Sequence, residues 1–261
     1  MNNVNRTLYI PLYGKAYVSR KGLFLKDAKA EEIWAREGFP LKGKSRSKYL
    51  AYYMGIRAAV FDGWVLQQMQ AMPDAVVLHI GCGMDSRMLR VNGTARKWYD
   101  IDFEQVISER RRYYDETGGY RMIEGDARKH AWLNAIPEAG CAIVVMEGLS
   151  MYLTNAELKA LTSALTRRFG QICMLMDCYT NLAAKMSAWR NPVNDVGVTK
   201  VYGLDAPEFL EDGRVTFVRE HNMMPLQYTN MLRGMEGCIF KKLYAGGLSR
   251  KLYRMFEYRS I

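Results

Sequence analysis

Two glycines one residue apart, Gly81 and Gly83, end the short apolar run Val76-Val77-Leu78-His79-Ile80, and Asp85, Ser86 and Arg87 follow at once. A residue without a Cβ takes strained φ/ψ easily and lets a ligand lie against the backbone, so Gly81-Cys82-Gly83 is a candidate ligand turn. A dinucleotide fingerprint would place a third glycine at position 86, where this chain has Ser86. The resulting GxGxxS counts against NAD or FAD and towards an adenosyl cofactor. Asp102 follows Gly83 by nineteen residues and closes the stretch Lys97-Trp98-Tyr99-Asp100-Ile101. One helix plus one strand is the interval at which an α/β cofactor site sets an acid on ribose hydroxyls. An aspartate can accept from both hydroxyls of a vicinal pair.

Three more carboxylates fall at similar places. Asp126 stands in Gly125-Asp126-Ala127-Arg128, Glu147 in Met146-Glu147-Gly148, and Asp177 in Met176-Asp177-Cys178-Tyr179. Each follows an apolar run. In an open α/β sheet, ligands bind beyond the carboxyl ends of the strands. A crevice lined by these four acids suits a ligand with ribose hydroxyls, an exocyclic amine and a cationic centre. S-adenosyl-L-methionine has all three. Asp126 would accept from the adenine amine, and Glu147 would face the α-ammonium.

The elements that must position these groups are legible in the hydrophobic pattern. From Thr7 to Trp64 the spacing is helical, clearest over Leu23 to Trp34 and Tyr49 to Met69, with an exposed loop expected over Gly38 to Ser47. From about Ala75 strands alternate with helices. The strands are expected at Val76–Ile80, Lys97–Ile101, Tyr120–Ile123, Cys141–Met146, Gln171–Asp177, Arg214–Val218 and near Phe256–Ile261. Crossover helices between strands imply a mostly parallel sheet covered on both faces. Thr154-Asn155-Ala156-Glu157 has capping-box spacing, and Asp205-Ala206-Pro207-Glu208 is a second helix start. The polar stretch Asn181 to Leu204 reads as an excursion over the carboxyl edge. The organisation expected is one structural domain: a helical extension over 1–72, and a core over 73–261 with a lid insertion at about 180–213.

Composition narrows the function class. The chain has 261 residues, 49% of them hydrophobic, enough for a sizeable core and unlike a disordered chain. No apolar run approaches bilayer length, and Met1-Asn2-Asn3-Val4-Asn5-Arg6 lacks a signal pattern, so a cytoplasmic protein without membrane partners is expected. Five cysteines without CxxC spacing imply reduced thiols and no zinc site. The three histidines, His79, His130 and His221, are far apart in sequence. A net charge of +10 admits nucleic acid, an anionic membrane surface or acidic substrates, but solubility explains it as well. Basic residues of the C-terminal stretch interleave with apolar ones, as in an amphipathic end packed on the body. Oligomeric state is not legible.

The chain resembles the leucine carboxyl methyltransferase family, and within it the bacterial polyketide-type O-methyltransferases. The matching stretches are Thr7 to Ala16, Leu25 to Glu32, Ile56-Arg57 with Phe61-Asp62, Gly81 to Arg87, Trp98 to Asp102, Glu147-Gly148-Leu149-Ser150-Met151-Tyr152-Leu153 and Tyr202 to Pro207. The GCGxDSR and EGxxMYL segments together are specific. The resemblance implies a class I S-adenosyl-L-methionine-dependent methyltransferase, a Rossmann-like α/β fold of seven strands with one antiparallel. It also implies roles. Arg57 reaches the cofactor carboxylate, Gly81 with Cys82 and Gly83 lines the methionine part, and Asp102 holds the ribose. Asp126 and Ala127 frame the adenine, and Glu147 lies beside the methionine moiety. Asp85 and Arg87 shape the loop by pairing with each other or with the N-terminal helices. Ala127 departs from the usual leucine, which weakens adenine packing.

Methyl transfer from a sulfonium is an in-line displacement that needs alignment and exclusion of water. A carboxylate acceptor is already ionised at neutral pH, whereas a phenol of pKa near ~10 needs a base or electrostatic help. Tyr152, Asp177 and His221 are the candidate helpers. The acceptor expected is a small acidic metabolite, carboxylate or phenol, held by lid residues such as Arg190, Lys200 or Tyr202. Two rivals stand beside this reading: a protein C-terminal carboxyl as acceptor, and a non-catalytic protein that binds the cofactor only. A nucleic-acid methyltransferase is disfavoured. Strand four ends in Glu147-Gly148-Leu149-Ser150 rather than an Asn/Asp-Pro-Pro-aromatic motif, and no Pro-Cys occurs.

Overall fold

The computed structural model describes residues 8–38, 41, 43–93, 96–187 and 200–260. Three helices lead: α1 (Tyr9–Arg20), α2 (Ala28–Glu37) and α3 (Lys48–Ala71). Then come β1 (Val76–Ile80), α4 (Arg87–Arg90), β2 (Trp98–Asp102), α5 (Glu104–Arg110), β3 (Tyr120–Glu124), β4 (Cys141–Met146), α6 (Asn155–Arg168) and β5 (Gln171–Tyr179). The C-terminal part holds α7 (Asn181–Ser187), β6 (Val215–His221), α8 (Leu226–Thr229), α9 (Gly234–Tyr244), α10 (Gly247–Arg250) and β7 (Tyr253–Ser260).

The strands form one seven-stranded sheet in the order β3-β2-β1-β4-β5-β7-β6. Strands β1 to β5 pair in parallel, and β7 runs antiparallel to both β5 and β6. The sequence order reverses between β1 and β4, the switch point at which such sheets bind ligands. β1 and β4 are buried on both faces, as a central parallel strand covered by helices must be. One apolar cluster lies on each side of the sheet. The larger joins α1, α2 and α3 to Val77, Ile143, Leu175 and Met255; the other packs α6 against Leu78, Val144 and Met174. α3 is buried nearly all round and therefore passes through the interior, carrying Arg57 and Asp62 with it.

The helix expected over Leu23 to Trp34 starts later. Phe24 takes φ +61°, and Asp27 caps α2 by accepting from Ala30 N–H at 2.8 Å. A good cap residue outweighs the apolar spacing ahead of it. The region Gly38 to Ser47 is not all exposed loop: a 3₁₀ turn spans Gly43–Arg46, and Leu41 is buried. The expected lid region starts with α7, while Arg190 lies outside the described residues. The 207–210 start is a single 3₁₀ turn. β6 and β7 are both longer than the sequence pattern indicates. Among the described residues no helix is long and apolar enough to cross a membrane.

Candidate functional site

Beyond β1 the chain turns through Gly81 at φ +72° and Gly83 at φ +52°. A Cβ on Gly81 would stand 3.1 Å from the Leu149 side chain, so glycine is required both by conformation and by space. Asp102, at the end of β2, locks this turn. Its Oδ2 accepts the Gly83 N–H at 2.8 Å, and its Oδ1 accepts the Phe103 N–H at 2.8 Å. Each oxygen keeps a free lone pair, enough for two vicinal hydroxyls. Burial pushes the Asp102 carboxyl up, against the pull of those two amides.

A chain of buried ion pairs stands behind the turn. Arg57 donates through Nε to Glu147 Oε1 at 3.0 Å and through Nη1 to Asp177 Oδ2 at 3.1 Å and Tyr253 Oη at 3.0 Å; its Nη2 lies 2.9 Å from Glu147 Oε1. Tyr253 Oη donates to Asp177 Oδ2 at 2.8 Å, and Gly148 N–H to Asp177 Oδ1 at 2.6 Å. The second oxygen of Glu147 receives Arg87. Arg87 also reaches Asp62 Oδ1 at 2.7 Å and Asp85 Oδ2 at 3.5 Å. Arg90 holds Asp62, Asp27 and Asp85 together, and Lys15 of α1 sits 3.2 Å from Asp85. Buried charges persist only when paired on several sides, and each of these is. Burial would raise the Glu147 carboxyl, but Arg57, Arg87 and Lys15 overcome it and hold it at about 2. Asp177 goes the other way: burial and the Glu147 charge outweigh Arg57 and push it up.

A cavity of about 470 Å³ opens over the turn. Arg57, Gly81, Cys82, Gly83, Asp102, Glu147 and Tyr152 all line it. Of the four carboxylates expected in the crevice, two are not on its wall. Asp177 is fully buried behind Arg57, because a carboxylate is needed there to balance that cation. Asp126 is turned to Arg128, which binds it through Nε and Nη2 at 2.7 to 3.1 Å. Ala127 is buried in the core beside it. Asp85 and Arg87 pair with each other and with α1 and α3, as expected of a loop brace. Burial pushes the Cys82 thiol well up, which makes it an inert wall. Lys200 lies over the Tyr202 ring, 5.3 Å from its centre, and neither residue is on the wall of this cavity. His221 lines a second cavity, of about 790 Å³, that adjoins the first.

Other wall residues were not singled out from sequence. Phe103 and Val106 flank Asp102; Phe103 directly follows the β2 acid, a signal that could have been used. Tyr53, Tyr179, Tyr244 and Tyr253 form an aromatic wall, with Tyr179 and Tyr253 centres 4.9 Å apart and Tyr53 and Tyr244 centres 5.5 Å apart. They come from α3, β5, α9 and β7, and no local spacing links them. Leu8, Ile10, Leu12 and Lys15 bring α1 over the mouth.

The profile of the leucine carboxyl methyltransferase family matches residues 8–166. The chain is 30% identical over 213 residues to the tetracenomycin polyketide synthesis O-methyltransferase of Streptomyces glaucescens, covering 81% of this chain and 79% of that one. It is 30% identical over 183 residues to an S-adenosyl-L-methionine-dependent methyltransferase of Gibberella zeae, covering 64% of this chain and 61% of that one. Among solved structures, magnesium protoporphyrin IX methyltransferase of Synechocystis PCC 6803 superposes with a TM-score of 0.54 at 12% identity, over 94% of this chain and 96% of that one. At that identity the likeness establishes the fold, the class I methyltransferase arrangement.

Proposed function

This chain belongs to the leucine carboxyl methyltransferase family, and from that premise we propose an S-adenosyl-L-methionine-dependent O-methyltransferase acting on an oxygen of a small acidic or polyketide-like metabolite, carboxylate or phenolic hydroxyl. The observation that carries the reading is the Gly81–Gly83 turn locked by Asp102 with a free lone pair on each carboxylate oxygen, over a cavity large enough for a nucleoside. When bound, the cofactor supplies a methyl group on a sulfonium, ready for displacement by an oxygen nucleophile.

The chain's own residues do the rest. Asp102 takes the ribose hydroxyls, and Phe103 and Val106 offer an apolar face for a planar base. Asp126, beyond β3 and held by Arg128, stays a candidate for the base's exocyclic amine, with Ala127 beside it. Gly81 to Gly83 bring backbone against the amino-acid portion. Arg57 and Glu147, both on the cavity wall, present one charge of each sign to a carboxylate and an ammonium. The tyrosine wall excludes water and offers ring faces to a cation. Lys200 and Tyr202, with Arg190, remain lid candidates for the acceptor.

Isothermal titration with S-adenosyl-L-homocysteine tests this. Wild type is expected to bind in the micromolar range. Asp102→Ala loses two charge-assisted hydrogen bonds and is expected to bind roughly a hundredfold more weakly, about 3 kcal/mol. Equal binding by the two proteins would overturn the ribose assignment.

A further inference from the structure

Tyr244, Ser249 and Tyr253 wall both cavities, so these three residues mark where the two meet. Another contact spans the same junction. Tyr53, on the wall of the first cavity, donates through Oη to Sδ of Met223, on the wall of the second, at 3.8 Å. The glycine turn and Asp102 belong to the first cavity alone. An in-line displacement needs its acceptor on the side of the methyl group away from sulfur. The second cavity, of about 790 Å³, is large enough for a whole small molecule. Leu182, Met223 and Met224 line it together with the two shared tyrosines. Thioethers adapt their shape and pack well on rings, so this wall suits a flat apolar body.

The hydroxyls around the junction can be accounted for one by one. Tyr253 Oη donates to Asp177 and accepts from Arg57. Tyr53 Oη is engaged by Met223, and Thr180 Oγ1 donates to the Lys251 carbonyl at 2.8 Å. Tyr244 Oη and Ser249 Oγ have no hydrogen-bond partner among the described residues, and both residues are half-buried. The Tyr244 ring is held in place, stacked on Phe240 with centres 5.3 Å apart and tilted against Tyr53 at 5.5 Å. Burial pushes its phenol up, so at neutral pH it keeps a proton to donate. A hydroxyl that is reachable and unpartnered beside a ligand space is a donor waiting for an acceptor.

The chemistry favours neutral donors at this spot. Transfer of a methyl group from a sulfonium to a carboxylate cancels one positive and one negative charge. A full cation against that carboxylate would stabilise the reactants more than the transition state and slow the step. Hydroxyls orient the group without that penalty, and none of the three shared residues is a cation.

We propose that Tyr244 Oη and Ser249 Oγ bind the carboxylate of the methyl acceptor at the junction, while the flat apolar body of the acceptor lies in the second cavity. This rests on the methyltransferase reading above and assigns the acceptor side of that site. The oxygen held by the hydroxyls is not the one that reacts. A lone pair of the other oxygen forms the O–CH₃ bond, the S–CH₃ electron pair stays on a neutral thioether, and no proton moves.

The test uses 2-naphthoate as the acceptor. Isothermal titration is expected to show it binding to wild type saturated with S-adenosyl-L-homocysteine. Tyr244→Phe keeps the ring and removes only the hydroxyl. It and Ser249→Ala are each expected to weaken that binding and to lower kcat/KM for methyl transfer roughly tenfold, with affinity for S-adenosyl-L-homocysteine unchanged. Ser249→Thr, which restores a hydroxyl, is expected to recover turnover, as a purely packing role would not require. Leu182 is 50% exposed on the wall of the second cavity alone, so Leu182→Trp fills space there without touching the core. It is expected to raise KM for 2-naphthoate severalfold and leave cofactor affinity as it was. Wild-type kcat/KM in both hydroxyl variants, an unchanged KM in Leu182→Trp, or no 2-naphthoate binding to the saturated wild type would each overturn the proposal. So would a loss of S-adenosyl-L-homocysteine affinity in Tyr244→Phe that parallels its loss of turnover, since the hydroxyl would then serve the cofactor. Failure of wild type to bind S-adenosyl-L-homocysteine at all would instead sink the methyltransferase reading beneath it.

Discussion

A glutamate clasped by two guanidiniums is a different acid from a glutamate in water. Glu147 is held at about 2 against an ordinary 4.5, so its contribution to stability is complete above pH 4.5 and is lost as the pH falls from 4.5 towards 2. Asp85, lowered by Arg90, Lys15 and Arg87 against its burial, adds to the same acid limb. Asp177 and Asp102, pushed up by burial, have the opposite sign: they favour the fold when protonated and lose that as the pH rises through their raised values. Urea unfolding followed from pH 5 to 2.5 is expected to show falling stability in wild type and a shallower slope in Glu147→Gln. An equal slope would mean that Glu147 is not the group titrating. Sequence marked Glu147 and Asp102 because each closes an apolar run in a recognisable motif. It did not show that Asp177 faces Arg57 instead of the cavity, because that depends on α3, whose sequence lies more than a hundred residues away.

At the scale of elements, local chemistry was read well where it was self-contained. Thr154 accepts the Glu157 N–H at 3.2 Å while Glu157 accepts the Thr154 N–H at 2.8 Å, the reciprocal cap that the spacing implied. Thr154→Ala should cost about 1 kcal/mol in chemical denaturation and leave cofactor affinity unchanged; a change in affinity would couple α6 to the site. The apolar strands β1, β4 and β5 were legible because buried parallel strands need near-continuous apolar runs. The start of β7 was not, because Tyr253 is a polar-tipped residue buried by its partners on α3 and β5 rather than by its own character. The same holds for α2, where Asp27 is both a helix cap and an ion partner of Arg90.

Across the whole molecule, one buried ionic network ties the N-terminal helices to the sheet. Lys15 of α1, Asp27 before α2, and Arg57 and Asp62 of α3 meet Asp85, Arg87, Arg90 and Glu147 beyond the strands and Asp177 near the end of β5. Arg87 is fully buried at its centre. Removing it leaves Glu147 and Asp62 each short of a cation, and breaking such a group typically costs about 3–5 kcal/mol. Arg87→Met is therefore expected to be destabilised by about that much in urea unfolding and to bind cofactor more weakly; stability within 1 kcal/mol of wild type would show the network to be dispensable. The sequence by itself determined the alternation of strands and helices, the glycine turn with its acid nineteen residues on, and the family motifs. These are carried by residues adjacent along the chain, where periodicity and backbone freedom act directly. The tertiary structure alone decided which carboxylates line the cavity and which brace a cation. It also decided which tyrosines wall the cavity and that His221 is backed by Glu257. Those pairings form between elements distant in sequence, and burial, which sets their charge, exists only once the sheet and helices have closed around them.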